Sequence, residues 1–445
     1  MTPSPPDRRV PIEQRLRDAG LPALARMAWL EVDLDALRAN LATLRGAAGA
    51  GVRVEPVVKA DAYGHGAVPV ARALEAAGAD GLSVATLDEA IELRDAGVTL
   101  PLLVLYPVPA AWLGEAARLR IAVALGAGES ASEALASARA AAGTGAAALE
   151  VHVEVETGLG RGGVLPADAA SAVDAARATP GVRLGGVWTH LAAADDNELT
   201  VEQGRRFASA MAPFAEAVAW GPDPALAVRR HLAGSGGLLG DAVPRWDAVR
   251  TGLSIYGLVP DALVPPSSTA AAAGALRPVM ALHARPVRVL ELPEGHGVSY
   301  GPTFITQRPS RIATLPVGYG DGWRRAFSDQ TSALVRGVRV PLVGRVAMDA
   351  VMADVTEVPG PPVTERDEFV LLGAQGGERI TAHDLAAAGR TISYEVMTGM
   401  SRRLARVYHA AGSAVETRTL VDGRPGWPGS SSGTATSATW RSTPS

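Results

Sequence analysis

Between about residue 28 and residue 260 the sequence repeats one pattern: a short apolar run, then an Ala/Leu-rich stretch of helical character. VRVEPVVK (52–59), PLLVLY (101–106), IAVAL (121–125), LEVHVEV (149–155) and RLGGVWTH (183–190) read as buried strands. ATLDEAIELRDAG (85–97) reads as a helix, with a capping box from Thr86 and Glu89 and a stop at Gly97. Such alternation demands parallel strands with helical crossovers, either a closed barrel or a doubly wound sheet. No GxGxxG opens a helix after a strand, which favours an N-terminal (β/α)8 TIM-type barrel. After about residue 272 the runs become short and rich in Val, Arg, Gly and Pro, as in PVRVLEL, RIATLPVGY and SALVRGVRVPLVGRV. These predict a C-terminal mainly-β domain. The expected α/β organisation is an N-terminal extension (1–27), a barrel (28–272), a mainly-β domain (273–417) and a disordered tail (418–445). Residues 1–27 read as loosely attached, and Pro265, Pro266 and Ser267 sit near the junction.

Composition removes several classes of function. The net charge is −4 over 445 residues, which argues against a nucleic-acid binder. No run reaches the roughly 18 uncharged apolar residues of a membrane span, and the N-terminal segment has no apolar signal region. The expectation is a cytoplasmic protein. Cysteine is absent, so disulfides, thiolate metal sites and a cysteine nucleophile are excluded, and no metal site is expected. Lys and Arg number 42 together, and Lys59 is the single lysine among them. Arginine replaces lysine as a charge but not as a nucleophilic amine. Lys59 closes an apolar strand, where barrel active sites lie, and a buried amine is the neutral form that imine chemistry requires. Gly64 and Gly66 let the following loop turn beside a ligand.

The segment VVKADAYGHGA around Lys59 resembles the cofactor-lysine motif of alanine racemases, fold-type III enzymes that use pyridoxal 5'-phosphate (PLP). AWLEVDLDALRANLATLR (28–45) resembles the family's opening strand and helix before it, and ETGLGRGGV, WTHLAAAD, VRTGLSIYGL, VSYGPTF, LPVGYGDG, VGRVAMDAVMADV and TISYEV follow in family order, so the resemblance runs from about Trp29 to Tyr408. It implies PLP held on Lys59 as an imine and a two-base racemisation of alanine. Lys59 would serve one face of the α-carbon. Tyr300 of the VSYG motif would serve the other, supplied from the second subunit of a head-to-tail homodimer. An ordinary phenol has a pKa near ~10 and needs help to act as a base; by resemblance Arg250 and His190 stand nearby. Arg250 would face the pyridine nitrogen and His190 would pack on the ring. Tyr63, Ser235, Gly252, Leu253 and Tyr394 match phosphate-binding positions. Arg161 and Met348, with Asp349 beside it, match substrate-carboxylate positions. Tyr319 and Tyr394 match the aromatic gate, and Asp195 lies further out.

Two positions depart from the family pattern. Gly234 in HLAGSGG stands where the family segment has asparagine. Glu154 stands where many members carry a lysine whose carbamate positions the arginine equivalent to Arg161; with one lysine in the chain, Glu154 offers a permanent carboxylate instead. The resemblance implies supply of D-alanine for peptidoglycan. A broad-specificity or serine-preferring racemase and a PLP carrier are the alternatives. Decarboxylases of this architecture use a cysteine and an acidic partner for the pyridine nitrogen, which the absence of cysteine and the presence of Arg250 disfavour.

Overall fold

The structure is a computed structural model describing residues 10–214 and 228–421. Strands β2 (Arg53–Val54), β3 (Leu82–Val84), β4 (Leu102–Val104), β5 (Ile121–Leu125), β6 (Leu149–Glu154), β7 (Val182–Trp188), β8 (Arg229–Gly234) and β9 (Ala248–Arg250) form one parallel sheet in the order β2-β9-β8-β7-β6-β5-β4-β3. A parallel bridge between Val57 and Ser83 joins the two edges. There Val58 N–H donates to Ser83 O at 2.8 Å and Ser83 N–H donates to Pro56 O at 2.9 Å. The sheet is therefore a closed eight-stranded barrel, the alternative that the missing GxGxxG favours. β5 is buried along its whole length, as expected for a parallel sheet with both faces covered. Leu87–Asp95 is helical, and Glu89 accepts the Thr86 N–H at 3.2 Å. VRVEPVVK forms only two residues of regular strand before the bridge at Val57, because Pro56 offers no N–H to the ladder.

The second layer is a large sheet in the order β11-β14-β17-β16-β15-β18-β10-β1-β20-β21. It comprises β10 (Met280–Ala284), β11 (Arg288–Leu292), β14 (Ser310–Leu315), β15 (Ser332–Val335), β16 (Val338–Val343), β17 (Val351–Asp354), β18 (Phe369–Gln375), β20 (Ala405–Ala410) and β21 (Ser413–Arg418). A hairpin, β12 (Gly297–Val298) and β13 (Phe304–Ile305), stands apart, and β19 (Glu378–Ile380) pairs with β18. Strand β1 (Ala28–Asp33) lies in this sheet, antiparallel to β10 and parallel to β20. The opening strand thus belongs to the β layer, although its helix, Leu34–Ala48, packs on the barrel side. An apolar run specifies a strand but not its partner, so this placement was not legible in the sequence.

The N-terminal segment is not loosely attached over its described part. Helix Ile12–Asp18 buries Ile12 and Leu16 against Trp29, Ala405, Val407 and Ala414. Arg15 Nη2 donates to buried Glu31 at 2.6 Å, and Arg285 pairs with Glu13. Most of the expected disordered tail lies outside the described residues.

Candidate active site

Lys59 follows β2 at the C-terminal mouth of the barrel and lines a cavity of about 690 Å³. His190, Ser235, Arg250, Gly252, Leu253, Tyr63, Tyr394 and Asp195 line the same cavity. The parallel barrel aligns the strand ends and brings these distant segments to one mouth. Burial lowers the Lys59 ammonium below its ordinary value, and the charges of Arg161 and Arg250 add to this against Glu89. A depressed amine pKa increases the neutral, nucleophilic fraction near pH 7.

The residues after Lys59 adopt an unusual backbone. Ala60, Asp61, Ala62 and Tyr63 have φ of 53, 54, 55 and 52°, a left-handed run of four residues bearing Cβ atoms. Each costs roughly 1–2 kcal/mol relative to the right-handed form, so outside contacts must hold it. Nothing in the types Ala-Asp-Ala-Tyr signals such a run.

Arg250 is 3 % exposed and fixed from several sides. Its Nη1 donates to His231 Nδ1 at 2.6 Å and to His231 O at 3.0 Å. Its Nη2 donates to Thr189 O at 2.8 Å and lies 3.4 Å from His190 Nδ1. The guanidinium carbon stands 4.7 Å from the Trp188 ring centroid. Burial pushes the guanidinium down to about 10, partly opposed by Glu55 and Glu154, so it keeps its charge at neutral pH. Arg250 has only protons to give, so His231 Nδ1 accepts from it. His231 Nε2 lies 2.9 Å from His152 Nδ1, and His152 Nε2 faces Arg229 Nη2 at 3.0 Å and Glu150 Oε1 at 3.3 Å. Burial holds both histidines below their ordinary pKa. His152 and His231 sit in strands β6 and β8 and point into the barrel; they were missed as site residues, since alternating strand positions do not distinguish a functional histidine from a core one. His190 is also held neutral, pushed down to about 3 by burial and by Arg250, Arg161 and Lys59.

The opposite wall carries hydroxyls and close backbone. A Cβ at Gly252 would stand 2.6 Å from the Tyr63 hydroxyl oxygen, so only glycine lets the tyrosine approach. Ser254 N–H donates to Ser235 Oγ at 3.1 Å. The Tyr63 ring lies 5.0 Å from Tyr256 and 6.1 Å from Tyr394. Burial raises both Tyr63 and Tyr394, the latter to about 12, so both stay protonated donors at neutral pH. One amine, several hydroxyls, a tight glycine turn and a fixed guanidinium make a donor set that suits a small phosphorylated aldehyde.

The remaining sequence-predicted residues divide into two groups. Arg161 lies close enough to depress Lys59, and its Nη2 donates to Glu154 Oε1 at 3.2 Å. Its guanidinium also sits 5.5 Å from the Tyr106 ring centroid. Tyr300, Tyr319, Met348 and Asp349 lie on the β domain, outside the cavity's lining among the described residues. Tyr300 is 74 % exposed at the tip of the β12–β13 hairpin, and Tyr319 and Met348 are also exposed. Within this chain Tyr300 therefore does not join Arg250 and His190. Asp349 pairs with Arg403 at 2.5 Å.

A closed β/α barrel with an amine at its mouth, joined to a mainly-β layer, defines a two-domain barrel protein whose cavity combines a nucleophile with a set of hydrogen-bond donors. The sequence matches the alanine racemase N-terminal domain over residues 32–260 and the alanine racemase C-terminal domain over residues 279–408. The chain belongs to the alanine racemase family. It is 42 % identical over 389 residues to an alanine racemase of Symbiobacterium thermophilum, covering 86 % of this chain and 97 % of that protein. It is 38 % identical to that of Syntrophobacter fumaroxidans, with the same shares covered. Among solved structures, alanine racemase from Bacillus anthracis with bound L-Ala-P superposes with a TM-score of 0.78 at 33 % identity, covering 90 % and 99 % of the two chains. The enzyme from D-cycloserine-producing Streptomyces lavendulae gives 0.75 at 37 %, covering 87 % and 98 %.

Proposed function

We propose that Lys59 and Tyr300 of the partner subunit are the two acid/base groups by which this enzyme interconverts L- and D-alanine. The activity is that of its family, an isomerase dependent on PLP. The observation that carries the residue assignment is the solitary lysine: Lys59 is the chain's one side-chain amine and it lines the cavity at the barrel mouth.

The residues present fit PLP, since the Gly252 turn, the Ser235 hydroxyl and the two protonated tyrosines suit a phosphate while Lys59 suits an aldehyde. When bound, PLP withdraws electrons and acidifies the α-hydrogen of an attached amino acid. Lys59 would hold PLP through its side-chain nitrogen, and its amine, kept toward the neutral form by burial, would take or return a proton on one face of the substrate. Arg250, locked by His231 and Thr189, would face the PLP ring as a donor that does not surrender its proton, which would limit the ring's electron withdrawal and favour reprotonation of the α-carbon. Neutral His190 would pack beside it, and Tyr63, Ser235, Gly252, Leu253 and Tyr394 would hold the phosphate end. Arg161 binds the substrate carboxylate, with Met348, Asp349, Tyr319 and Tyr300 brought to the mouth by a second protomer. The exposure of Tyr300, Tyr319 and Met348 supports this, because one protomer alone leaves the opposite face without its acid. Among the described residues no helix is long and apolar enough to cross a membrane, which fits a cytoplasmic enzyme supplying D-alanine for peptidoglycan.

Borohydride reduction followed by peptide mass mapping tests the attachment. One PLP per chain on the Lys59 peptide is expected; label elsewhere, or none, overturns the assignment.

Glu154 carries the chain's own solution to orienting Arg161. Their 3.2 Å ion pair is partly buried, so it is worth more than an exposed one. Glu154→Gln keeps the size and an acceptor and removes the charge; it is expected to raise KM for alanine by about five- to ten-fold, the excess of a charge-assisted hydrogen bond over a neutral one, with a smaller change in kcat. Burial raises the Glu154 carboxyl above its ordinary 4.5, outweighing Arg161. The carboxylate is therefore lost as pH falls through a raised pKa, and the wild-type KM climbs there while the Gln variant stays flat. Equal acid profiles for the two proteins would remove Glu154 from this role.

A further inference from the structure

The left-handed run behind Lys59 is held by the far end of the β domain. Asp61 Oδ1 accepts the Ala67 N–H at 2.8 Å, which closes the loop upon itself. The same oxygen accepts from Arg418 Nη1 at 2.8 Å. Asp61 and Arg418 side chains are 14 % and 25 % exposed, so the pair is largely withdrawn from solvent. Arg418 is the last residue of β21 and lies beyond residue 408, where the C-terminal family match ends. The adjacent strand adds two grips: Arg406 Nε donates to Gly64 O at 3.0 Å, and the Tyr408 hydroxyl donates to His65 O at 3.0 Å. On the barrel side, Glu89 Oε1 accepts the Ala60 N–H at 2.6 Å.

We propose that Asp61 and Arg418 are positioning residues for Lys59, their ion pair holding the left-handed turn that aims the amine into the cavity. This rests on Lys59 being the group that carries the cofactor. Residues with a Cβ do not sustain a left-handed run by themselves, and strain of this kind persists where surrounding structure over-determines it. Four such residues start at the position after Lys59, so relaxation of any of them rotates the chain on which the amine is mounted. The ion pair opposes that relaxation from outside the barrel. It makes the last described strand of the β domain part of the machinery that places the barrel's nucleophile. Displacements on the order of 1 Å at a reacting group cost up to ~100-fold in rate.

The test uses the full-chain enzyme with PLP bound and compares Arg418→Gln, Asp61→Asn, their double variant and Arg418→Lys. Arg418→Gln is expected to lower kcat about ten-fold with KM within about two-fold, a placement defect smaller than the ~100-fold upper range. Hydrogen exchange should accelerate in the peptide spanning residues 60–67 and not across the barrel. Asp61→Asn should match it, the double variant should be no worse than either single, and Arg418→Lys should recover most of kcat. Unchanged kcat and unchanged exchange in Arg418→Gln, or a kcat loss that follows melting temperature with exchange raised throughout, would overturn the proposal. A wild-type enzyme that racemises alanine without PLP on Lys59 would instead overturn the reading beneath it, and the proposal with it.

Discussion

Lys59→Arg is expected to lower kcat for alanine racemisation by at least about 10³-fold while leaving the fold intact. The two side chains have similar length and both carry a positive charge, but the guanidinium stays protonated. It neither attacks an aldehyde nor accepts the α-proton. A positioned acid/base group alone contributes roughly 10²–10⁴-fold, and covalent attachment is lost as well. No other side-chain amine exists in the chain to take over. PLP should still bind through its phosphate, so the visible absorbance should shift to that of the free aldehyde, with one PLP lost per chain on gel filtration. A primary amine added to the solution should restore part of the rate. Retention of wild-type activity by Lys59→Arg would show that the amine has no part in the chemistry.

Tyr300→Phe has the second largest expected effect, about 10²–10⁴-fold in kcat. The substitution removes one oxygen from a side chain that is 74 % exposed in the protomer, so melting temperature should stay within about a degree or two, in line with the small effects of surface substitutions. With one face still served by Lys59, α-hydrogen exchange in one enantiomer should outlast racemisation. The decisive form of this prediction is a mixture. Suppose each site takes Lys59 from one protomer and Tyr300 from the other. A heterodimer of Lys59→Ala and Tyr300→Phe chains then has one doubly defective site and one intact site. Co-refolding or co-expression of the two inactive variants should regain activity, up to about a quarter of wild type when exchange is random and equal, since half of the dimers are mixed and each has one intact site. Absence of any recovery from verified heterodimers would mean that Tyr300 acts within its own protomer or does not act.

Five of the eight barrel strands are legible in the sequence, because buried parallel strands and their crossover helices impose a local periodicity that survives without neighbours; Leu82–Val84, Arg229–Gly234 and Ala248–Arg250 do not stand out from it. The helix after Thr86 and the strand Ile121–Leu125 lie where their patterns place them. What the sequence hides is long-range. β1 reads like any opening strand, yet it pairs with β10 and β20, a choice made by partners some 250 and 370 residues away in the chain. The N-terminal helix reads as an appendage because its two buried apolar residues, Ile12 and Leu16, are too few to mark a core contact. Lys59 was legible because arginine has replaced lysine everywhere else. Glu154 and Arg161 are legible as a pair through the family pattern, and the fold brings them together. The left-handed turn was not legible, since its cost falls on ordinary alanine, aspartate and tyrosine residues, and its restraints come from Arg406, Tyr408 and Arg418 on two distant strands.

The central claim is that two groups on opposite faces exchange the α-proton of alanine. It is tested most directly by incubating the PLP-loaded enzyme with L-alanine in heavy water and following chirality and α-deuterium together. The account predicts D-alanine carrying deuterium from the first turnovers, with the slower appearance of deuterium in the L-alanine pool. Deuterium entering L-alanine without any D-alanine forming would contradict it, because a single working face would then account for all the chemistry.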